Sequence, residues 1–272
     1  MEHYLWLIPV GFIIGTYGTL VGAGGGFLVV PLLLVLYKDE NPEIITSISL
    51  AVIAFNALSG SVAYARMSRI DYKAGILFSI AAIPGAVLGA LSTALISRLS
   101  FDVLFGLLII VASVYLLLHP INVQNTSRGN SLQAHPQNPI EADHSSKKHL
   151  YKLTAGIVLS FFVGYLSSLL GIGGGIIHVP VLVRLLDFPV HIATATSHFI
   201  LAIMALTGTI VHIITGTFYH GVHRTIALAI GVICGAQVGA LLSNRLSGAW
   251  IIRGLAVALG VVGLRLLFIA LL

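Results

Sequence analysis

The chain has 272 residues, of which 57% are hydrophobic and only 8% charged, with a formal net charge of +5 and a mean hydropathy of +1.02. A water-soluble domain carries about 25% charged residues, so these few charges cannot clothe a solvated surface. Ordinary soluble enzymes and binding modules are excluded, and the expected fold class is an all-α polytopic membrane protein.

The basic residues lie between apolar segments, where they set topology rather than bind nucleic acid. A single cysteine, Cys234, excludes an internal disulfide framework and a multi-cysteine metal site. Met1 to Tyr4 contains Glu2 but no Lys or Arg, so no removable targeting peptide is expected.

A spanning helix needs about 20 apolar residues. In chain order, the first half offers apolar segments at Tyr4 to Val21, Gly26 to Tyr37, Ile44 to Ala65, Tyr72 to Ile96 and Phe101 to Leu118. The second half offers Lys152 to Leu170, Ile176 to Leu186, His191 to Gly216, Val222 to Leu242 and Ala249 to Leu272. In both halves a glycine cluster separates the first two segments. The piece after the cluster is too short to span, so each half is expected to contain a helix hairpin that turns inside the bilayer.

The two halves repeat one plan at an offset of about 150 residues. GAGGGFLVVP (Gly22 to Pro31) matches GIGGGIIHVP (Gly171 to Pro180), and TSISLAVIAFNALSGS from Thr46 matches TATSHFILAIMALTGT from Thr194. GAVLGAL from Gly85 matches GAQVGAL from Gly235, two stretches that read as close-packing helix faces. The domains expected are a first membrane repeat (1–118), a polar linker (119–150) and a second membrane repeat (151–272). His119, His135, His144 and His149 punctuate the linker without a ligand spacing, so a solvated linker is the simpler reading. Arg66, Arg69 and Lys73 flank one loop of the first half, whereas Arg245 and Arg253 flank the next loop along in the second. That shift predicts halves inverted relative to each other, with Lys147, Lys148 and Lys152 on the basic side.

Glycines in an apolar run break the helix and expose backbone groups, which is tolerated only inside protein or beside a watery cavity. Broken helices at corresponding places in two repeats point to a transport site near the midplane. Helix N-termini there aim N–H groups and the positive dipole end at an anion. The candidate backbone positions are Gly22, Gly24, Gly25 and Gly26, with Gly171, Gly173, Gly174 and Gly175. Close helix packing is the competing explanation. No Lys-Ser/Thr follows either cluster, so neither is a phosphate loop.

The duplicated GxGGGxxxVP, followed by TSISL in one half and ATATSHF in the other, resembles the sulfite exporter TauE/SafE family across the chain apart from the linker. The resemblance implies a multi-pass cell-membrane transporter of anions such as sulfite and organosulfonates, proposed to export them. The halves differ in that Leu50 stands where the second half has His198.

Polar residues inside apolar segments are the remaining candidates. Thr46, Ser49, Thr194 and Ser197 can donate to sulfur oxyanions, unless they bond back to their own helix. Asn56 and Gln237 are binding or interhelix residues. His178 and His198 are candidates for anion contact or proton handling, as is His212, against a plain interhelix role. Arg184 and Asp187 read as a membrane-boundary pair. No Asp or Glu falls well inside a segment, which favours anions over cations. No cofactor, metal or nucleic-acid partner is expected; the partners are a small anion and the lipid bilayer, and a homo-oligomer is compatible with this pattern. The alternative is a nickel or zinc permease built on the intramembrane histidines. A hydrolase is disfavoured because Ser197 and His198 diverge on a helix and no GxSxG elbow occurs.

Overall fold

The structure, a computed structural model, describes residues 4–37, 39–118, 139–243 and 248–271. The helices are α1 (Leu7–Val21), α2 (Gly26–Leu36), α3 (Pro42–Arg66), α4 (Tyr72–Ser92), α5 (Arg98–Leu118), α6 (Pro139–Leu170), α7 (Gly175–Leu185), α8 (Val190–Ile214), α9 (Val222–Leu242) and α10 (Gly248–Leu271). No strand occurs among the described residues. Six stretches are long and apolar enough to cross a membrane, whereas α1, α2 and α7 are shorter apolar helices. The all-helical membrane architecture therefore stands as expected from composition.

Residues 139–150, assigned above to the linker, are helical and form the start of α6. Pro139 stands at the first helical position, where its missing N–H costs nothing and its fixed φ favours the turn. Residues 119–138 lie outside the described residues.

Local chemistry explains several other ends. Pro42 opens α3 in the same way, and the Asp71 carboxylate caps α4 by accepting from the Ala74 amide at 3.1 Å. At the end of α1, Gly22 takes φ +79°, and the amides of Ala23 and Gly24 both return to the Gly18 carbonyl.

Helix pairing is reciprocal between the halves. α1 packs along α9 and α4 along α6, while α3 lies against α8 and α5 against α10. The glycine faces make the first two pairings close. A Cβ on Gly85 would lie 2.9 Å from the Tyr165 amide nitrogen of α6, and one on Gly235 would lie 2.8 Å from the Thr16 amide nitrogen of α1. GAVLGAL and GAQVGAL are therefore packing faces, each against the first helix of the other half. The outer surface is apolar, with Ile80 62%, Val111 59% and Leu241 61% exposed, as a lipid-facing surface requires.

The α1–α2 pair is a hairpin. At one end of the bundle Arg224, opening α9, pairs with Glu40 and lies 3.9 Å over the Tyr37 ring just beyond α2. Tyr4, ahead of α1, is close enough to interact with both Tyr37 and Arg224, so α2 returns to the end where α1 starts. Arg98 fixes that return by donating to the carbonyls of Leu34 (3.1 Å) and Glu40 (2.7 Å). In the second half, Leu185 at the end of α7 lines an apolar cleft with Thr154, Ala155 and Val158 of α6, giving the same hairpin. The opposite end of the bundle is tied by Asp71 N–H to Thr196 Oγ1 (3.0 Å) and by Arg69 to Ser243 (3.5 Å).

Candidate functional site

The two glycine turns meet at the tips of the two hairpins. In each turn three glycines hold positive φ: Gly22, Gly24 and Gly25 at 79°, 74° and 81°, and Gly171, Gly173 and Gly174 at 66°, 85° and 67°. A side chain in this region costs about 1–2 kcal/mol even without a neighbour. Neighbours are also close. A Cβ on Gly26 would lie 2.6 Å from the Gly171 carbonyl oxygen, and one on Gly175 would lie 2.6 Å from Ala23 Cα. The turns are therefore backbone against backbone. Gly24 and Gly173 both face the repeat-related pair Ile53 and Leu201, with Ile53 Cγ2 at 3.0 and 3.1 Å from their Cβ positions.

Each turn docks on the long helix of the opposite half. Gly22 sits against Thr194, whose Cγ2 would be 2.7 Å from its Cβ, and Gly171 sits 3.1 Å from Thr46 Cα in the same measure. Ser49 Oγ donates to the Gly171 carbonyl at 2.6 Å, and Ser197 Oγ donates to the Gly22 carbonyl at 3.3 Å. These are repeat-related serines exchanging repeat-related partners. Two otherwise orphaned turn carbonyls are thereby satisfied, as buried backbone in an apolar setting requires.

Back-bonding to the i−4 carbonyl does occur elsewhere, at Ser79, Thr209 and Thr225. At the four candidates it does not. Ser49 and Ser197 bond across the halves, and the buried Thr46 and Thr194 hydroxyls have no partner. The turns also present donors. Gly26 and Phe27 at the start of α2, and Ile176 at the start of α7, give their amides to no backbone carbonyl among the described residues. Two helix N-termini thus meet at one point, with Thr46 and Thr194 packed against the turns through their methyls, and exposed helix N-termini suit a small anion.

Asn56 and His198 join this neighbourhood. The Asn56 side-chain amide donates to the Gly24 carbonyl at 3.1 Å, and its oxygen accepts from Thr19 at 3.1 Å. Thr19 also contacts His198 Nε2 at 3.3 Å, and the Tyr64 hydroxyl donates to the Thr19 carbonyl at 2.8 Å. Thr19 and Tyr64 were missed from sequence. A buried intramembrane threonine three residues before the turn was the available signal.

The remaining candidates lie elsewhere. Gln237 of α9 donates to the carbonyl (2.7 Å) and hydroxyl (2.8 Å) of Ser59 on α3 and makes no hydrogen bond to the turns. It is an interhelix tie. Gln237→Leu is expected to lower stability by about 1 kcal/mol while leaving anion affinity unchanged, read by thermal unfolding with and without ligand. His178 bridges its own hairpin, with Nδ1 3.3 Å from the Gly174 carbonyl and Nε2 3.3 Å from Ser160 Oγ. His212 is buried near the far end of α8, with both ring nitrogens unpartnered. Arg184 lies over the Tyr115 ring, 5.1 Å from its centroid, at the end of α7. Among the described residues no three His, Cys, Asp or Glu side chains gather as a metal site.

Known proteins share this organisation. The model of the sulfite exporter TauE/SafE family matches residues 7–266. The "Probable membrane transporter protein YunE" of Bacillus subtilis is 33% identical over 275 residues, covering 97% of each chain. A "Probable membrane transporter protein" of Methanocaldococcus jannaschii is 28% identical over 273 residues, covering 96% of this chain and 94% of its own. Another, from Xylella fastidiosa, is 28% identical over 242 residues, covering 88% and 83%. No solved structure matches the chain. With the family matched from α1 into α10 and the spanning helices in place, the chain belongs to the sulfite exporter TauE/SafE family and is a multi-pass transporter of the cell membrane.

Proposed function

We propose that the protein exports small sulfur-containing oxyanions, such as sulfite or organosulfonates, and binds them where the two glycine turns meet. The observation that carries this reading is the meeting there of the α2 and α7 N-termini, beside Thr46 and Thr194, whose buried hydroxyls have no partner. The site residues are Gly22, Gly24, Gly25, Gly26, Thr46, Ser49 and Asn56, together with Gly171, Gly173, Gly174, Gly175, Thr194, Ser197 and His198. No carboxylate stands among them to repel an anion.

The two repeats are inverted. Support comes from helix ends: α1 starts where Arg224 meets Glu40, whereas α7 hands over to α8 near Asp71, at the other end. Arg66, Arg69, Lys73 and Arg253 belong to that second end, which is the cytoplasmic one by the excess of basic residues. Both hairpins then enter from opposite sides and stop at the midplane, as in transporters built from inverted repeats. An inside-negative potential favours efflux of each negative charge by about 2.3 kcal/mol per 100 mV.

Thermal unfolding of the detergent-purified protein with sulfite, sulfoacetate, sulfate, chloride, nickel or zinc tests the substrate class. Selective stabilisation by sulfite or a sulfonate is expected. Stabilisation by nickel or zinc alone would replace this reading with the metal permease.

A further inference from the structure

We propose that the cleft between α5 and the second hairpin holds one anionic phospholipid, with its acyl chains along α7 and its phosphate at Arg184. The proposal is independent of which anion the protein carries.

The cleft is walled by Leu108, Ala112 and Tyr115 of α5 and by Ile176, Pro180 and Arg184 of α7, and it encloses about 500 Å³. Small-molecule sites span about 300–1,000 Å³. Val111 and Tyr115 on its α5 wall are 59% and 42% exposed, so the cleft opens onto the apolar outer surface. Its depth is that of one leaflet. α7 has 11 residues, about 16 Å at 1.5 Å per residue, which is half of a hydrocarbon core of about 30 Å. Ile176 follows the glycine turn at the inner end of the helix, and Arg184 stands at the other end, where the chain hands over to α8. A second apolar cleft, between α6 and the end of α7, shares Leu159 and Leu185 with the first. Two acyl chains can therefore lie on either side of that leucine pair.

Among the described residues the first half is built differently. α10, the counterpart of α5, packs on both α1 and α2. At the repeat offset Val35 stands in place of Arg184, and Gly263 in place of Tyr115. The cation and the aromatic ring thus belong to the half that has the cleft.

The charge decides the kind of lipid. Arg184 lies 5.1 Å from the Tyr115 ring centroid, a cation–π contact that holds the guanidinium at the mouth of the cleft. A guanidinium carries five N–H donors and suits phosphate bidentately, so a phosphate fits alongside the contacts that Arg184 makes within the protein. Asp187 follows at the same end, but Lys147, Lys148 and Lys152 lie on the first turns of α6, whose later residues wall the second cleft. An apolar slot one leaflet deep, with a basic end, matches an acidic headgroup on two acyl chains better than a zwitterionic one.

Native mass spectrometry of the detergent-purified protein with dioleoylphosphatidylglycerol or dioleoylphosphatidylcholine tests this. The phosphatidylglycerol is expected to bind about fivefold more tightly, the worth of one basic residue toward an anionic lipid. Arg184→Gln should erase that preference and Arg184→Lys keep most of it, while Arg265→Gln on α10 leaves it intact. Ala112→Phe, which fills the cleft from α5, should weaken binding of both lipids, and inorganic phosphate alone should not bind. The preference is a ratio within each variant, so a general loss of stability leaves it readable. Equal affinity for the two lipids, or a preference that survives Arg184→Gln, overturns the proposal. A dimer that Ala112→Phe dissociates also overturns it, by giving the cleft to a second copy of the chain. Anion transport stands under any of these results.

Discussion

Gly26→Ala and Gly175→Ala are expected to abolish anion flux and to lower the unfolding temperature by several degrees. Neither position needs an unusual φ, since each is the first residue of its helix. The effect comes from the opposing turn. The Gly26 methyl would press on the Gly171 carbonyl and the Ile172 carbonyl carbon, at 2.6 and 2.8 Å, and the Gly175 methyl on Gly22 and Ala23. Backbone cannot swing aside as a long side chain can, so the turns must separate. Overpacking of this kind costs about 1–3 kcal/mol, and the separated turns no longer bring two helix N-termini to one anion. Gly216→Ala is the contrasting change: φ there is +85° but no atom lies within 4 Å of the added methyl, so a loss of about 1 kcal/mol with normal flux is expected. Thermal unfolding and vesicle flux on the three variants separate crowding at the turns from backbone strain alone.

The double variant Ser49→Ala, Ser197→Ala should have the next largest effect. Each serine holds a turn carbonyl of the other half, and removing it leaves a buried acceptor unsatisfied at about 1–3 kcal/mol. The Ser49 contact is the shorter, at 2.6 Å against 3.3 Å, so Ser49→Ala is expected to be the worse single change. If the turns form one unit, the double variant departs from additivity by more than about 0.5 kcal/mol. Denaturation in mild detergent reads this directly, and additive losses would mean that each turn is held independently.

Composition and the internal repeat were enough to give the membrane class, the broken hairpins and the close-packing glycine faces. What they could not give was the partner of each face. GAVLGAL says that a helix comes close, but α6 was not readable as that helix, because pairing is exchanged between halves and depends on the whole bundle. Ser49 meets Gly171 across 122 residues, and no local pattern encodes such a contact. Gln237 reads from sequence as either a binding or an interhelix residue, because a carboxamide in an apolar run needs a partner of some kind; Ser59 is that partner here. Thr19 carries no local mark of its cross-helix contacts, because a threonine in an apolar helix usually bonds to its own helix. The start of α6 was signalled by Pro139, but the polar residues after it lack the apolar period that makes a helix legible.

The central claim is that an anion passes through the meeting point of the two glycine turns. Efflux of sulfite from vesicles containing only this protein, under an imposed inside-negative potential, tests it most directly. Saturable efflux that quickens with the potential, is competed by methanesulfonate and vanishes in Gly175→Ala is expected. Efflux no faster than from protein-free vesicles, or unchanged in that variant, would contradict it.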